Sequence, residues 1–256
     1  MKLGAQLYTL REQLQNEEDI RIGLRKVADI GYKSVQVSGV GAINPYVLKK
    51  ICDDNGLPII VTHTKPDRIL NNIDEVIEEH NVYGCDYIGI GGLPIAYRSE
   101  EGVKKFVEDF GPAIEKIKES GKKFMYHHHS FEFHRLSDGK WIMDHILDAF
   151  DESKLGIICD TYWVQHAGLD ICSTIKKFKG RLECVHLKDM YLPDPVKNDH
   201  TFAPIGDGNI DFVSAIKTFE ECGANYMFVE QDKTVGCPFE ALRRSYNYIQ
   251  TIYEEK

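Results

Sequence analysis

Short apolar runs rich in β-branched residues alternate with longer amphipathic segments along the whole chain. Runs of the first kind predict strands, and apolar residues three or four positions apart predict helices. The predicted strands are Lys2–Tyr8, Ser34–Ser38, Ile59–His63, Tyr87–Ile90, Lys123–His129, Leu155–Asp160, Glu183–Leu187 and Tyr226–Glu230. Strands that alternate with helices in this way predict a parallel sheet.

The first and last helical segments carry clear boundary signals. Apolar positions from Ile20 to Ile30 repeat at helical spacing and stop before Gly31, a residue typical of a helix C-terminus. The last helix opens at Pro238, which is favoured in a first helical turn. Eight strand–helix units in 256 residues favour a closed (β/α)₈ barrel, an α/β fold, formed by one domain over residues 1–256.

Glycine-rich phosphate loops are absent from the strand-to-helix turns, since the sequence contains neither GxGxxG nor GxxxxGK[ST] there. The segment Gly89-Ile90-Gly91-Gly92 predicts a tight turn after the fourth strand. The sequence therefore gives no support to a doubly wound nucleotide-binding sheet.

Composition narrows the classes of partner. The formal net charge of −9 disfavours binding to nucleic acid or to an anionic membrane surface. Apolar runs are far shorter than the roughly 18 residues that a membrane span requires. The 7 cysteines form no CxxC pair, which argues against a disulfide framework and against a zinc knuckle. We expect a cytoplasmic protein.

Polar side chains interrupt the apolar strands where each strand should leave the barrel. In such barrels the carboxyl ends of the strands carry the functional residues. The residues at these positions are His63, His127, His129, Glu132, Asp160, His186, Lys188, Glu230 and Asp232. Buried polar groups need partners, and one cation would serve several carboxylates at once.

The most economical constellation is Glu132, Asp160, His186 and Glu230, with one ligand from each of four successive strands. Three carboxylates and one imidazole suit one divalent ion such as Mn²⁺, Mg²⁺ or Co²⁺, with Zn²⁺ as the alternative. The sequence therefore predicts a metal centre with open positions for substrate oxygens.

Motifs along the whole chain resemble the xylose isomerase-like superfamily of sugar-phosphate isomerases and epimerases, which also includes inosose dehydratases and endonuclease IV. They are GAQLYTLRE, GYKSVQVSG, YHHHSFEF, CDTYWVQHAG, VHLKDM, PIGDGNIDF and FVEQD. The resemblance implies the same four ligands, with His127 or His129 as alternatives to Glu132. Relatives commonly carry Glu where this chain has Gln36 and His where it has Trp163, which leaves the substrate open.

The resemblance implies a divalent-metal-dependent isomerase or epimerase that acts on a small keto-sugar through an enediolate. Glu132, Glu230 or His127 is the expected base, and Lys188 is expected to neutralise the developing oxyanion. The residues expected to contact the substrate are Gln6, His63, His129, Trp163 and Asp232.

Other functions also fit these residues. The same intermediate leads to a lyase or dehydratase acting on a keto-sugar, an inosose or a 3-keto-glycoside, with or without a partner subunit. A non-catalytic carbohydrate-binding barrel is an alternative of another class. A homo-oligomer is equally compatible with the sequence, whereas the acidic charge disfavours an endonuclease.

Overall fold

A computed structural model describes residues 1–197 and 199–254. Residues 198, 255 and 256, which the predicted domain includes, lie outside the described part. The strands are β1 Lys2–Gln6, β2 Val35–Val37, β3 Ile59–His63, β4 Tyr87–Ile90, β5 Lys123–His127, β6 Leu155–Asp160, β7 Cys184–Leu187, β8 Asp189–Tyr191, β9 Thr201–Ala203 and β10 Tyr226–Val229.

The helices follow the strands in alternation. They are α1 Glu17–Ile30, α2 Pro45–Asp54, α3 Pro66–Asn71, α4 Ile73–Tyr83, α5 Glu100–Glu119, α6 Ile142–Ala149, α7 Thr161–His166, α8 Ile171–Lys177, α9 Phe212–Glu221 and α10 Pro238–Ile252. Short 3₁₀ turns cover Leu7–Gln13, Ile95–Tyr97 and Phe131–Phe133. Within the described residues, no helix is long and apolar enough to cross a membrane.

Strands β1 to β7 and β10 close into a parallel barrel in the order β1-β10-β7-β6-β5-β4-β3-β2. The predicted (β/α)₈ barrel is therefore confirmed for the described residues. Strands β8 and β9 pair antiparallel in a separate two-stranded ribbon beyond β7. Helix α1 ends at Gly31, as predicted. Gly31 has a φ of 125°, and its N–H donates to the carbonyl of Ala28.

The barrel interior holds a small apolar core of its own, separate from the larger core under the helices. Its residues are the fully buried Val61, Met125, Ile158, Cys184 and Phe228. Each lies two positions before a polar residue, namely His63, His127, Asp160, His186 and Glu230. Because side chains two apart share a face of a strand, this core directs all five polar side chains to the carboxyl mouth of the barrel.

Candidate metal centre

Four buried side chains from adjacent strands bring one potential ligand atom each to a common point. The atoms of His127, Asp160, His186 and Glu230 all lie within 4.8 Å of one another. His127 Nε2 lies 3.2 Å from Asp160 Oδ2. His186 Nδ1 lies 3.5 Å from that oxygen and 3.1 Å from Glu230 Oε2.

These separations fit a shared ion. A divalent metal with bonds of about 2.0–2.2 Å to nitrogen and oxygen holds neighbouring ligands roughly 3.0–3.5 Å apart. Two imidazoles and two carboxylates suit Mn²⁺, Co²⁺ or Zn²⁺.

The two histidines are oriented by bonds on their outer sides. His127 Nδ1 lies 3.0 Å from the carbonyl oxygen of Gly91. A carbonyl only accepts, so Nδ1 carries the proton and the Nε2 lone pair faces the centre. His186 Nε2 lies 2.6 Å from Gln36 Oε1, which leaves Nδ1 facing the centre. Metal-ligating histidines are typically held in this manner.

Each carboxylate likewise has one oxygen that is hydrogen-bonded to the protein and one that faces the centre. Gln6 Nε2 donates to Glu230 Oε1 over 2.8 Å, and the backbone N–H of Trp163 donates to Asp160 Oδ1 over 3.2 Å. The other oxygen of each group faces the imidazole lone pairs. Lone pairs that converge in a buried site repel one another unless a cation lies between them, so the donor set fits a metal.

Lys188 lies beside the same oxygens. Its Nζ is 2.7 Å from Glu230 Oε2, 3.2 Å from Asp160 Oδ2 and 3.0 Å from Asp232 Oδ1. When these three carboxylates are ionised, one ammonium leaves two negative charges unbalanced. A divalent cation would balance them, whereas an uncompensated buried charge is costly.

The opposite charges in the centre stabilise one another's ionised forms. Burial alone would raise the pKa of Asp160 and of Glu230, but Lys188 and the histidines hold both well below their usual values. Burial opposes the charge on Lys188, yet the carboxylates keep its pKa above the usual range. The pKa of Asp232 is raised by burial and by Glu230.

Glu132 lies apart from this group. The strand ends at His127, and Glu132 falls in the 3₁₀ turn Phe131–Phe133, fully buried. The Tyr126 hydroxyl donates to its Oε1 over 2.7 Å and the His129 N–H donates to its Oε2 over 2.8 Å. The structure thus places His127, the alternative ligand, where the sequence predicted Glu132.

A cavity of about 320 Å³, here called the central cavity, is lined by two of the four candidate ligands, His127 and Glu230. The predicted site residues on its wall are His63, His127, His129, Lys188, Glu230 and Asp232. The side-chain oxygen of Gln6 accepts from the N–H of Tyr8 and its amide supports Glu230, so Gln6 holds a ligand in place. Trp163 packs its ring against His129, with ring centroids 4.7 Å apart, and lies behind the wall.

Sequence reasoning assigned no role to several residues that the structure brings to the centre. Gln36 orients His186, and the carbonyl of Gly91 orients His127. Tyr8, Ser38 and Thr64 line the central cavity. A carbonyl has no sequence signal, but Gln36 follows the apolar Val35 in a buried strand, and a buried amide there needs a partner.

Residues 24–250 match the family model for xylose isomerase-like TIM barrels, and the chain belongs to that family. The closed barrel, with side chains at its mouth that could hold a metal ion, is consistent with that class.

Among solved structures, a sugar phosphate isomerase/epimerase from Parabacteroides distasonis is 26% identical with a TM-score of 0.80, and the match covers 97% of this chain and 93% of that one. The IolI protein, solved with a bound zinc atom, shares the fold at 13% identity and a TM-score of 0.72, with 98% of each chain covered.

Among curated proteins, an inosose dehydratase of Clostridium perfringens is 28% identical over 167 residues, which cover 59% of this chain and 55% of the relative. An inosose dehydratase of Clostridium beijerinckii is 27% identical over 171 residues, which cover 60% of this chain and 56% of the relative. The chain thus spans about half the length of the curated relatives that it matches.

Proposed function

We propose that this protein is a divalent-metal-dependent enzyme that removes a proton next to the carbonyl of a keto-sugar or inosose. One observation carries the proposal. In each of the four candidate ligands, one side-chain atom is hydrogen-bonded to the protein on the outer side and a second atom faces the centre. The bound zinc atom of IolI and the names of the curated relatives support it.

His127, Asp160, His186 and Glu230 would hold the ion, and Mn²⁺, Co²⁺ and Zn²⁺ suit these donors best. The ion would supply Lewis acidity that acidifies the C–H bond beside the substrate carbonyl. Lys188, buried beside the ligands, would stabilise the negative charge that develops on the substrate oxygen.

Three side chains on the cavity wall are candidates to contact the substrate or to move its proton, namely His63, Asp232 and Glu230. His63 Nε2 is buried and has no hydrogen-bond partner among the described residues. Burial and the neighbouring His127 lower the pKa of His63, so its imidazole is neutral and its unpartnered nitrogen would accept a hydrogen bond from a substrate hydroxyl. Asp232 reaches the same cavity and is tied to Lys188. Glu230 is the ligand that could also serve as the base.

The outcome that we favour is loss of a β-hydroxyl, the reaction of a dehydratase or lyase, because both curated relatives described above are named inosose dehydratase. Epimerisation is the second candidate, supported by the 26% identical isomerase/epimerase structure. Both begin with the same proton abstraction, and they differ in whether the hydroxyl leaves or the proton returns.

The test is to incubate the Mn²⁺-loaded protein in D₂O with an inosose and a panel of keto-sugars. We expect deuterium at the carbon beside the carbonyl, or formation of an unsaturated product, without added nucleotide. Asp160→Asn should lose metal and activity by orders of magnitude while it stays folded, whereas the exposed-site control Asp148→Asn should match the wild type. Full activity after complete metal removal would disprove the proposal.

A further inference from the structure

A second cavity of about 580 Å³, here called the side cavity, adjoins the central cavity. Ser38, His63, Thr64 and Lys65 line both cavities. The side cavity lies between the segment that joins β2 to α2 and the start of α3. A molecule held at the metal centre can therefore extend past His63 into it.

The outer wall of the side cavity is fixed in position. The N–H of Gly41 donates to the carbonyl of Leu14 over 2.8 Å, and a Cβ at Gly41 would lie 2.2 Å from the carbonyl oxygen of Gln15. Asn44 caps α2 by accepting from the N–H of Tyr46. The segment is thus anchored at both ends, which makes the side cavity a preformed space.

A chain of buried hydrogen bonds leads from α4 to the junction of the two cavities. His80 Nδ1 lies 2.7 Å from the carbonyl oxygen of Val76, His80 Nε2 lies 2.9 Å from Thr62 Oγ1, and Thr62 Oγ1 lies 3.0 Å from Thr64 Oγ1. His80, Thr62 and Thr64 are all buried. Every hydroxyl in the chain has one hydrogen to donate.

The direction of this chain follows from its first member. The carbonyl of Val76 only accepts, so His80 Nδ1 carries the proton. Burial lowers the pKa of His80 to about 4, so at neutral pH its Nε2 accepts the hydrogen of Thr62. Thr62 then accepts from Thr64. The hydrogen of Thr64 is thus donated within the protein, and Thr64, which lines both cavities, keeps only acceptor capacity for a ligand.

We propose that Thr64 accepts a hydrogen bond from a hydroxyl of the substrate and that the side cavity holds a second polyhydroxylated unit, so the substrate is a glycoside or disaccharide. This inference rests on the proposed function for the part of the molecule at the metal. An acceptor at Thr64 disfavours a phosphate or carboxylate there, since neither donates when ionised.

Much of the rest of the wall suits a sugar unit, and the exposed Lys65 adds a hydrogen-bond donor for its hydroxyls. Val40, Ile43 and Leu48 provide apolar surface for the C–H face of a ring. Arg68 is paired with Glu79 over 2.6 Å, so its charge is already balanced. The side cavity therefore combines an apolar face with a directed acceptor, as sugar-binding pockets require.

Binding of unreactive parent sugars tests the inference separately from turnover. The panel is glucose and three glucose disaccharides, namely maltose, cellobiose and trehalose. With Mn²⁺-loaded protein, calorimetry should show that at least one disaccharide binds more tightly than glucose. Thr64→Val should weaken that disaccharide by about tenfold, the loss of one hydrogen bond, whereas Thr64→Ser should keep its affinity. Ala42→Trp, which fills the side cavity from its exposed rim, should abolish the preference and leave glucose unchanged.

Analogues of the bound disaccharide test the polarity of Thr64. At one hydroxyl of the second ring, replacement by fluorine should weaken binding to the wild type but not further weaken binding to Thr64→Val, and replacement by an amine should retain it. Nitrogen-15 spectra should show His80 as the neutral Nδ1–H tautomer. No disaccharide preference, equal losses in Thr64→Val and Thr64→Ser, or the Nε2–H tautomer would overturn the inference, even if the enzyme turns over keto-sugars.

Discussion

His127 and His186 show how much of a metal site lies outside its ligands. Each imidazole has two nitrogens, and the one that faces away from the centre fixes the tautomer of the ring. For His186 that partner is the buried amide of Gln36, which makes no contact with the centre itself in the described bonds. Gln36 therefore belongs to the machinery of the site as a positioning residue.

Gln36→Leu should weaken the binding of Mn²⁺ or Zn²⁺ by about 10- to 100-fold, because His186 loses the acceptor that orients it. Gln36→Glu keeps an acceptor at that point and should bind the metal at least as well as the wild type. Competition with a chromophoric chelator measures both affinities. Equal affinities in the leucine and glutamate variants would contradict the role of Gln36.

At this scale the sequence predicted residue types better than residue roles. Asp160, His186 and Glu230 follow apolar strand residues by a spacing of two, which is enough to direct them to the barrel mouth. Gln6 and Trp163 were predicted to contact substrate, and this stays a prediction; the structure adds that the Gln6 side chain donates to Glu230 and the Trp163 backbone N–H donates to Asp160. That distinction depends on side-chain direction across the barrel, which no local pattern encodes.

The residue at which β5 ends decides which side chain of this segment reaches the candidate metal centre. The run from Lys123 to His129 predicts a strand through His129, but the strand stops at His127. His128 Nε2 accepts the N–H of Asp160 over 3.1 Å, so a side chain takes the donor that would extend the ladder. Periodicity alone does not reveal such a competition. Glu132 then lies in the 3₁₀ turn that follows β5.

The turn after β5 carries a titrating group of its own. Burial raises the pKa of Glu132 to about 7, against the lowering effect of its bonds from Tyr126 and His129. The unfolded chain releases this proton near pH 4.5. Between these values the folded protein binds more protons than the unfolded chain, so Glu132 makes stability fall as pH rises.

We therefore expect the free energy of unfolding of the wild type, relative to Glu132→Gln, to decrease by about 3 kcal/mol between pH 4.5 and pH 7.5. The difference between the two proteins removes the contribution of other titrating groups. Denaturant titrations across this range measure it. A difference that stays constant with pH would show that Glu132 ionises at its usual pKa, and one that grows as pH rises would show that folding lowers its pKa.

At the scale of the whole molecule, the candidate metal centre brings together four neighbouring strands of the barrel. His127, Asp160, His186 and Glu230 come from β5, β6, β7 and the end of β10, which are consecutive around the ring. An ion that binds the folded chain alone stabilises it, by about 2.7 kcal/mol at a concentration of 100 times its Kd.

Removal of the metal with a chelator should accordingly lower Tm by roughly 5 to 10 °C for a chain of this size. Re-addition of Mn²⁺ or Zn²⁺ should restore it. Asp160→Asn should show a Tm that responds little to either treatment, as measured by scanning calorimetry. A wild-type Tm that is insensitive to both chelator and metal would argue against an ion at this position.

The overall barrel was predictable because strand and helix alternate without interruption, and this alternation allows few topologies. The ribbon of β8 and β9 was not predicted, because both strands have only three residues. No local pattern predicts their pairing, which is supported by hydrogen bonds from backbone N–H groups after β9 to the side chain of Asp189.

Asp189 accepts hydrogen bonds from the N–H groups of Met190, Gly206, Gly208 and Ile210. The pairing of Tyr191 with Thr201 closes the segment between β8 and β9, and the carboxylate of Asp189 ties this ribbon to the turn after β9. Val196, within that segment, is 89% exposed. Extra length there costs little, since the entropy of closing a loop grows only slowly with its length. A reporter peptide or small domain grafted beside Val196 would leave the barrel intact, and the same position offers evolution a place to add a module.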